Sequence, residues 1–334
     1  MLPDLLADPF GERLAGLPVK RMQLLGARFR FDSNSVELMR LVDWAYKGLP
    51  RHRLSQAAGD LRVSLRLHGE PPRQARGEPA PLAMLSGSGL LGGATEAANF
   101  ALLSPREQAA VVVVSPRMLR FPYHTRYELI EFAVFTLAAR AQRLVPLHAA
   151  CVGEGGRGLL LLGESGAGKS TVALQCLLRG FDFLSEDSVF VTPDTLEATG
   201  IANFVHVRAD SLHWLGRSRE SALIRRSPII RRRSGVRKFE LDLRQDGFRL
   251  ARSPLRLVGA AILSPQGARG RPLLKPISST ALLDNLAQTQ SYGASRPEWR
   301  AFQRSVARLD AFELRRGRHP CEAADALRSL LAGS

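Results

Sequence analysis

The sequence predicts an α/β protein of two domains, on three observations. Apolar runs of strand length alternate with stretches of helical period along the chain. One such strand leads straight into a glycine-rich loop and then a helix, at Leu159–Thr171, "LLLLGESGAGKST". The chain has 334 residues, 45% hydrophobic and 23% charged, enough to bury two ordinary cores.

Residues 1–118 read as a smaller mixed α/β domain suited to substrate or partner recognition. "KRMQLLGARFRFD" alternates like a strand. "NSVELMRLVDWAYKGL" follows at helical period, with Leu38, Leu41, Val42 and Ala45 on one face. "LRVSLRLHG" places Leu61, Val63, Leu65 and Leu67 on one side and Arg62, Ser64, Arg66 and His68 on the other. "EPPRQARGEPAP" is a loop by composition, and "AAVVVVS" reads as a buried strand.

Residues 119–334 read as the larger domain. Thr125 and Glu128 have the spacing of a capping box before the helix "LIEFAVFTLAARAQ". "PLHAACV" and "GLLLL" read as strands joined by the turn "GEGGR". "TVALQCLLRG" is a helix closed by Gly180. "DFLSEDSVFV" reads as strand, polar interruption, strand. Helices are expected near 279–289, 297–308 and 321–332, with "FELRR" a strand between the last two.

Composition narrows the function classes. No apolar run reaches the length of a membrane span, and the N-terminus carries acids where an export signal would carry bases. Cys151, Cys176 and Cys321 lie far apart and suggest neither a zinc site nor a disulfide framework, so a cytoplasmic protein is expected. The net charge of +16 comes from 47 basic residues, only five of them Lys. The arginines are spread widely, which argues against nucleic acid and fits acidic or phosphorylated ligands. Homo-oligomerisation is left open.

Gly163, Gly168, Lys169 and Ser170 satisfy G-x-x-x-x-G-K-[ST]. In this motif the loop Gly163, Glu164, Ser165, Gly166, Ala167, Gly168 turns its backbone N–H groups onto phosphate oxygens. The helix that follows adds its positive end. Lys169 reaches the outer phosphates, and Ser170, with Thr171 beside it, offers a hydroxyl to Mg²⁺. The expected cofactors are therefore ATP and Mg²⁺. An acid is needed after the loop's helix, and "FLSEDSV" supplies Glu186 and Asp187. One can serve the metal, with Asp187 the candidate, while the other accepts a proton from an attacking hydroxyl. His148, just ahead of the loop's strand, is the third candidate.

"LHAACV", "GESGAGKS", "LLRG" and "LSEDSV", in that order, resemble the HPr kinase/phosphorylase family. Its members carry a histidine before the phosphate loop, then G-[DE]-S-G-x-G-K-S, an R-G helix end and a pair of acids. The resemblance implies a phosphoenolpyruvate carboxykinase-like P-loop fold for the second domain. It implies ATP, Mg²⁺ and phosphoryl transfer to a serine hydroxyl of a protein or peptide. It assigns the base to Glu186, its partner to Asp187 and the phosphate-side histidine to His148, beside Lys169. This chain departs in opening the pair with Glu186 and in Ala149, where the family has Gly. Residues 1–118 do not match the family's N-terminal domain, which implies an acceptor other than HPr. Whether the reverse reaction runs stays open.

"RRSPIIRRRSGVRK", Arg225–Lys238, is either a solvated loop or a flexible lid from which Arg233 or Arg237 could clamp phosphate. His206, Arg208 and His213 are undecided between site and structure. The alternatives to a protein kinase are an ATP-binding regulatory or assembly module and a small-molecule kinase. A transport ATPase fits poorly, because the one look-alike of its signature, Leu85–Gly89, precedes the loop.

Overall fold

The computed structural model describes residues 17–55, 59–69 and 77–333. It is a mixed α/β structure with three sheets, of seven, nine and three strands. The described chain divides into two compact units. The first holds residues up to Gln23, Arg28–Lys47 and the stretch ending at Leu137. The second holds Leu24–Ala27, the segment from Gly48 and everything from Ala138.

The first unit contains β1 (Val19–Leu24), β2 (Ala27–Ser33), α1 (Val36–Tyr46), β3 (Asp60–Leu67), β4 (Ala83–Gly87), β5 (Leu90–Glu96), β6 (Asn99–Ser104) and β7 (Ala109–Val114). Their sheet runs β1-β2-β3-β7-β6-β5-β4. β2, β3 and β7 are mutually parallel, and the rest of the path from β7 to β4 is antiparallel. The first predicted strand is in fact two. Leu25 and Gly26 both take positive φ, 50° and 84°, the backbone of a two-residue hairpin turn. α1 is capped by Ser35, whose hydroxyl accepts from the Leu38 amide, and it buries Leu38, Val42 and Ala45 as expected, with Met39 and Tyr46 added. β3 alternates as predicted. β7 is not buried on both faces: Val111 is exposed, and only alternate residues reach the core. Most of the predicted loop "EPPRQARGEPAP", residues 70–76, lies outside the described residues.

The capping-box expectation at Thr125 fails. The helix starts earlier, as α2 (Pro122–His124), with proline in the first turn where its missing N–H costs nothing. Thr125 is already helical, and its hydroxyl donates to the carbonyls of Met118 (2.7 Å) and Phe121 (3.1 Å). Residues Thr125–Ile130 form a π-helical turn before α3 (Glu131–Ala141), and Glu128 pairs with His124 at 3.1 Å.

The second unit begins with β8 (Val145–Leu147), β9 (Ala150–Glu154), β10 (Arg157–Leu162) and α4 (Lys169–Leu178). It continues through β11 (Asp182–Ser185), β12 (Val189–Val191), β13 (Glu197–Gly200), β14 (Phe204–Val207), α5 (Arg219–Arg226), β15 (Ile229–Arg231) and β16 (Arg237–Asp242). It closes with β17 (Leu255–Gly267), β18 (Leu274–Pro276), α6 (Ser279–Thr289), α7 (Ser291–Ala294), α8 (Trp299–Val306), β19 (Asp310–Arg316) and α9 (Pro320–Gly333).

The large sheet runs β11-β9-β10-β17-β13-β12-β8, with β19 joined to β17 and β18 to β19. β10 lies between antiparallel β9 and parallel β17. Its unbroken "LLLL" is explained by burial on both faces. Leu159 and Leu161 pack with α4 and α9, while Leu160 and Leu162 pack with α6 and α8. The small sheet, β14-β16-β15, lies on the α4 side of the core.

Two connections cross the same seam. β8 pairs with β12 and β9 with β11, so both β8→β9 and β11→β12 pass from one part of the sheet to another. His148 stands on the first crossing and Glu186–Ser188 on the second. "PLHAACV" is therefore two short strands broken at His148. Gly200 explains how closely the parts approach: a Cβ there would come within 2.8 Å of Ser185 Cβ and 2.9 Å of the Leu184 carbonyl oxygen.

Candidate functional site

The glycine-rich loop has the backbone its sequence requires. Gly163 takes φ 142° and Gly168 φ 106°, both costly for any residue with a Cβ. Gly168 is the N-cap of α4 and, lacking a side chain, leaves the first-turn amides without a side-chain acceptor. Glu164, Ser165 and Gly166 form the exposed crest, and Ala167 donates its amide back to the Glu164 carbonyl at 3.2 Å. Lys169 is buried, and its ammonium donates to the carbonyls of Gly163 (2.7 Å) and Glu164 (3.2 Å). Ser170 sits in the first turn of α4, and the Thr171 hydroxyl lies 3.4 Å from that of Ser211.

The acidic turn reaches this loop. Burial holds the Lys169 ammonium below the usual lysine range; the Asp187 charge opposes that shift and Lys238 adds to it. The Asp187 charge thus bears on Lys169 from a different part of the chain. Its Oδ1 lies 3.2 Å from His148 Nδ1, and Oδ2 lies 3.9 Å from an Arg232 guanidinium nitrogen. The Ser185 hydroxyl braces the turn by accepting from the amides of Asp187 (3.4 Å) and Ser188 (3.2 Å). Gln290 holds the opposite crossing: its amide oxygen accepts from the His148 N–H (2.7 Å) and its amide nitrogen donates to the His148 carbonyl (3.3 Å).

The two adjacent acids have different surroundings. The Asp187 side chain is 27% exposed and that of His148 57%, whereas Glu186 is 5% exposed. Both Glu186 oxygens are engaged by His206: the backbone N–H donates to Oε2 at 2.6 Å, and Nδ1 lies 3.3 Å from Oε1. His206 Nε2 in turn lies 3.2 Å from Glu240 Oε1. Burial alone would lower the His206 pKa, but the Glu186 charge and hydrogen bonds to Glu186 and Glu240 outweigh it despite Arg232, and the net shift is upward. The two carboxylates thus stabilise the charged form of the imidazole.

The basic segment is not an unstructured loop. Its first part lies in α5, and the rest forms the β15–β16 hairpin, turned at Arg232–Val236 with Gly235 at φ 80°. Arg232 lies against Asp187, and Lys238 is within electrostatic reach of Glu186 and Asp187. Arg237 is exposed opposite Arg231, and Arg233 sits on the turn. Burial lowers the Lys238 pKa, and the charges of Glu186, Arg232, Asp187 and Arg208 all act on it. Arg208 pairs with Asp210 at 2.9 Å, and His213 is exposed, tilted against Trp214. Sequence reasoning missed Glu240, and within Arg225–Lys238 it named Arg233 and Arg237 rather than Arg232 and Lys238. The alternation of "RKFELD" was the available signal, because it puts Lys238 and Glu240 on one face of β16.

These residues fit a nucleoside triphosphate with its metal. The glycine backbone, the uncapped α4 terminus and an ammonium resting on neutral carbonyls form a cradle for anionic oxygens. Among the described residues no group of three His, Cys, Asp or Glu side chains forms a metal cage. Mg²⁺ does not need one, since it takes one or two protein ligands and fills its shell with phosphate oxygens and water. Ser170 would be that ligand, whereas Asp187, the second ligand expected from the sequence, has its oxygens against His148 and Arg232 instead.

No protein-family model matches the chain, and no curated protein matches it by sequence. Among solved structures it is similar to the HPr(Ser) kinase/phosphatase from Coxiella burnetii, with 12% identity and a TM-score of 0.28 over 55% of this chain and 89% of that one. At that TM-score the likeness is too slight to bear on function, which must be read from the residues themselves. No helix among the described residues is long and apolar enough to cross a membrane.

Proposed function

We propose that the second unit is an ATP-dependent kinase domain that transfers the γ-phosphoryl group to a hydroxyl, with a serine of a protein or peptide as the acceptor. The observation that carries this reading is the accessible Asp187–His148 pair within electrostatic reach of the phosphate-loop lysine. A loop that only gripped nucleotide would not need a solvent-facing carboxylate paired to an imidazole beside it.

ATP with Mg²⁺ supplies the phosphoryl group and leaves as ADP. Lys169 and the α4 amides hold the phosphate oxygens. Asp187 accepts the proton of the acceptor hydroxyl as its oxygen bonds to the γ-phosphorus and the β–γ bridging P–O bond breaks. His148 orients that carboxylate. The family register gives the base role to Glu186, but its two oxygens are occupied by His206, which favours Asp187 as the base and Glu186 as the residue that fixes the turn. Arg232 is placed to neutralise charge on the transferring group.

The test is a transfer assay with γ-labelled ATP and cell extract, followed by mass spectrometry of labelled species. A labelled seryl peptide supports the reading. Free labelled phosphate alone makes the protein an ATPase, and bound nucleotide without turnover makes it a regulatory module. A labelled metabolite makes it a small-molecule kinase.

A further inference from the structure

Among the described residues, the sheet of the first unit has one face packed and one face open. Leu61, Val63, Leu65, Ala101, Leu103, Ala110 and Val112 are buried on the packed face. On the other face the register aligns Leu85, Gly92, Leu102, Val111 and Ser64 in one row across β4, β5, β6, β7 and β3. Open sheet faces are ordinarily polar. Here Leu85, Leu90, Leu102 and Val111 are between 41% and 64% exposed. They lie around Gly92, whose missing side chain deepens the surface; a Cβ there would touch Leu85 and Leu102 at 3.6 and 3.9 Å. The result is an apolar groove of about 380 Å³ that also takes in Phe100.

The same face turns cationic two strands further on. Arg30 and Arg62 are exposed and directly opposite each other on β2 and β3. Neighbouring Arg28 and Arg66 are neutralised by Asp60 (2.6 Å) and Asp32 (2.7 Å). Among the described residues no ion pair is found for Arg30 or Arg62. Like charges placed opposite each other in a sheet are unfavourable, and an anion laid across them removes the penalty.

We propose that this face docks a peptide segment carrying apolar side chains and, a short distance along, acidic ones. The groove on β5 and the arginines on β3 are three strand spacings apart, about 14 Å. An extended peptide covers that in about four residues. The apolar anchors fill the groove over Gly92, and the carboxylates pair with Arg62 and Arg30. The surface deepens the kinase reading by giving the acceptor protein a recognition element away from its serine, and to that extent rests on it.

The experiment is fluorescence anisotropy with the full chain and no nucleotide. The probe is a fluorescein-labelled synthetic peptide, Leu-Val-Leu followed after a four-residue Gly/Ser spacer by Glu-Glu-Glu. Micromolar binding is expected, weakened roughly tenfold or more by Leu102→Glu, by Arg62→Glu and by replacing the peptide's glutamates with glutamine. Both substitutions are at exposed positions, and their melting temperatures verify folding. Failure of the probe to bind overturns the proposal, as does equal affinity for the glutamine peptide. A dimer that Leu102→Glu dissociates overturns it by giving the face to a second copy. Binding that emerges only on deleting residues 1–16 overturns it by giving the face to the chain's own terminus. Because no nucleotide is present, failure here leaves phosphoryl transfer untouched, and failure of the transfer assay leaves the binding result standing.

Discussion

His148 Nδ1 stands 3.2 Å from Asp187 Oδ1, and the two residues reach each other from separate crossings of one sheet seam. The adjacent acid, Glu186, turns the other way and is buried against His206. Two neighbouring carboxylates thus have separate surroundings.

Asp187→Asn should leave nucleotide binding within a few-fold of wild type and reduce transfer by roughly 10²–10⁴-fold, the usual range for a lost general base. Single-turnover transfer beside a nucleotide titration separates the two quantities. Glu186→Gln should show the reverse emphasis: a fall in melting temperature, because His206 loses a charge partner, with a smaller direct effect on transfer. Equal loss of transfer with unchanged stability in both variants would return the base role to Glu186.

Lys169→Ala should weaken nucleotide binding by roughly tenfold or more, since it removes a charge-assisted contact to phosphate. The fold should be retained, because the ammonium is already disfavoured by burial. Displacement of a fluorescent ATP analogue and circular dichroism check the two parts.

His206 makes stability depend on pH. Its pKa in the folded chain is raised above the ordinary 6.5, so folding binds the proton more tightly than the unfolded chain does. The resulting stabilisation is fully present below pH 6.5 and is lost as pH rises through the folded value. Denaturant unfolding of wild type and His206→Gln across neutral pH should therefore show the largest difference on the acid side, shrinking toward alkaline pH.

Gly200→Ala should destabilise by about 1–3 kcal/mol, the range for overpacking, because the new methyl meets backbone at Leu184. Ser185, which braces Asp187, is its other neighbour. Transfer should fall with stability while ATP affinity holds, as read from melting temperature and steady-state rates.

Arg232→Gln should lower the rate of transfer with little change in nucleotide affinity, since Arg232 lies against Asp187 and His206. Saturation kinetics in ATP would resolve kcat from KM.

The strand, glycine turns and helix start of the candidate phosphate loop were legible because they are local, within thirteen consecutive residues, Leu159–Thr171. The strand–turn–strand around Glu186 and the helices near the C-terminus were legible from periodicity for the same reason. The His206 cluster was not. It depends on the pairing of β14 with β16, which sets His206 opposite Glu240 across an intervening helix and hairpin, and no local pattern encodes that register. Thr125 shows the opposite failure. Its spacing to Glu128 matched a helix start, but Pro122 had already begun the helix, and the hydroxyl turned inward to carbonyls of the preceding turn.

The Gln290 side chain makes two hydrogen bonds to the backbone of His148, in effect substituting for a neighbouring strand. Gln290 follows immediately on α6, so the protection of the His148 amide from deuterium is set by how often the end of that helix opens, not by the sheet on either side. In a hydrogen-exchange experiment that amide should share the exchange rate of the last turn of α6 and accelerate with it when the helix is weakened. Fluctuations of a helix containing no proposed catalytic residue would then be read out, in time, at the backbone of His148.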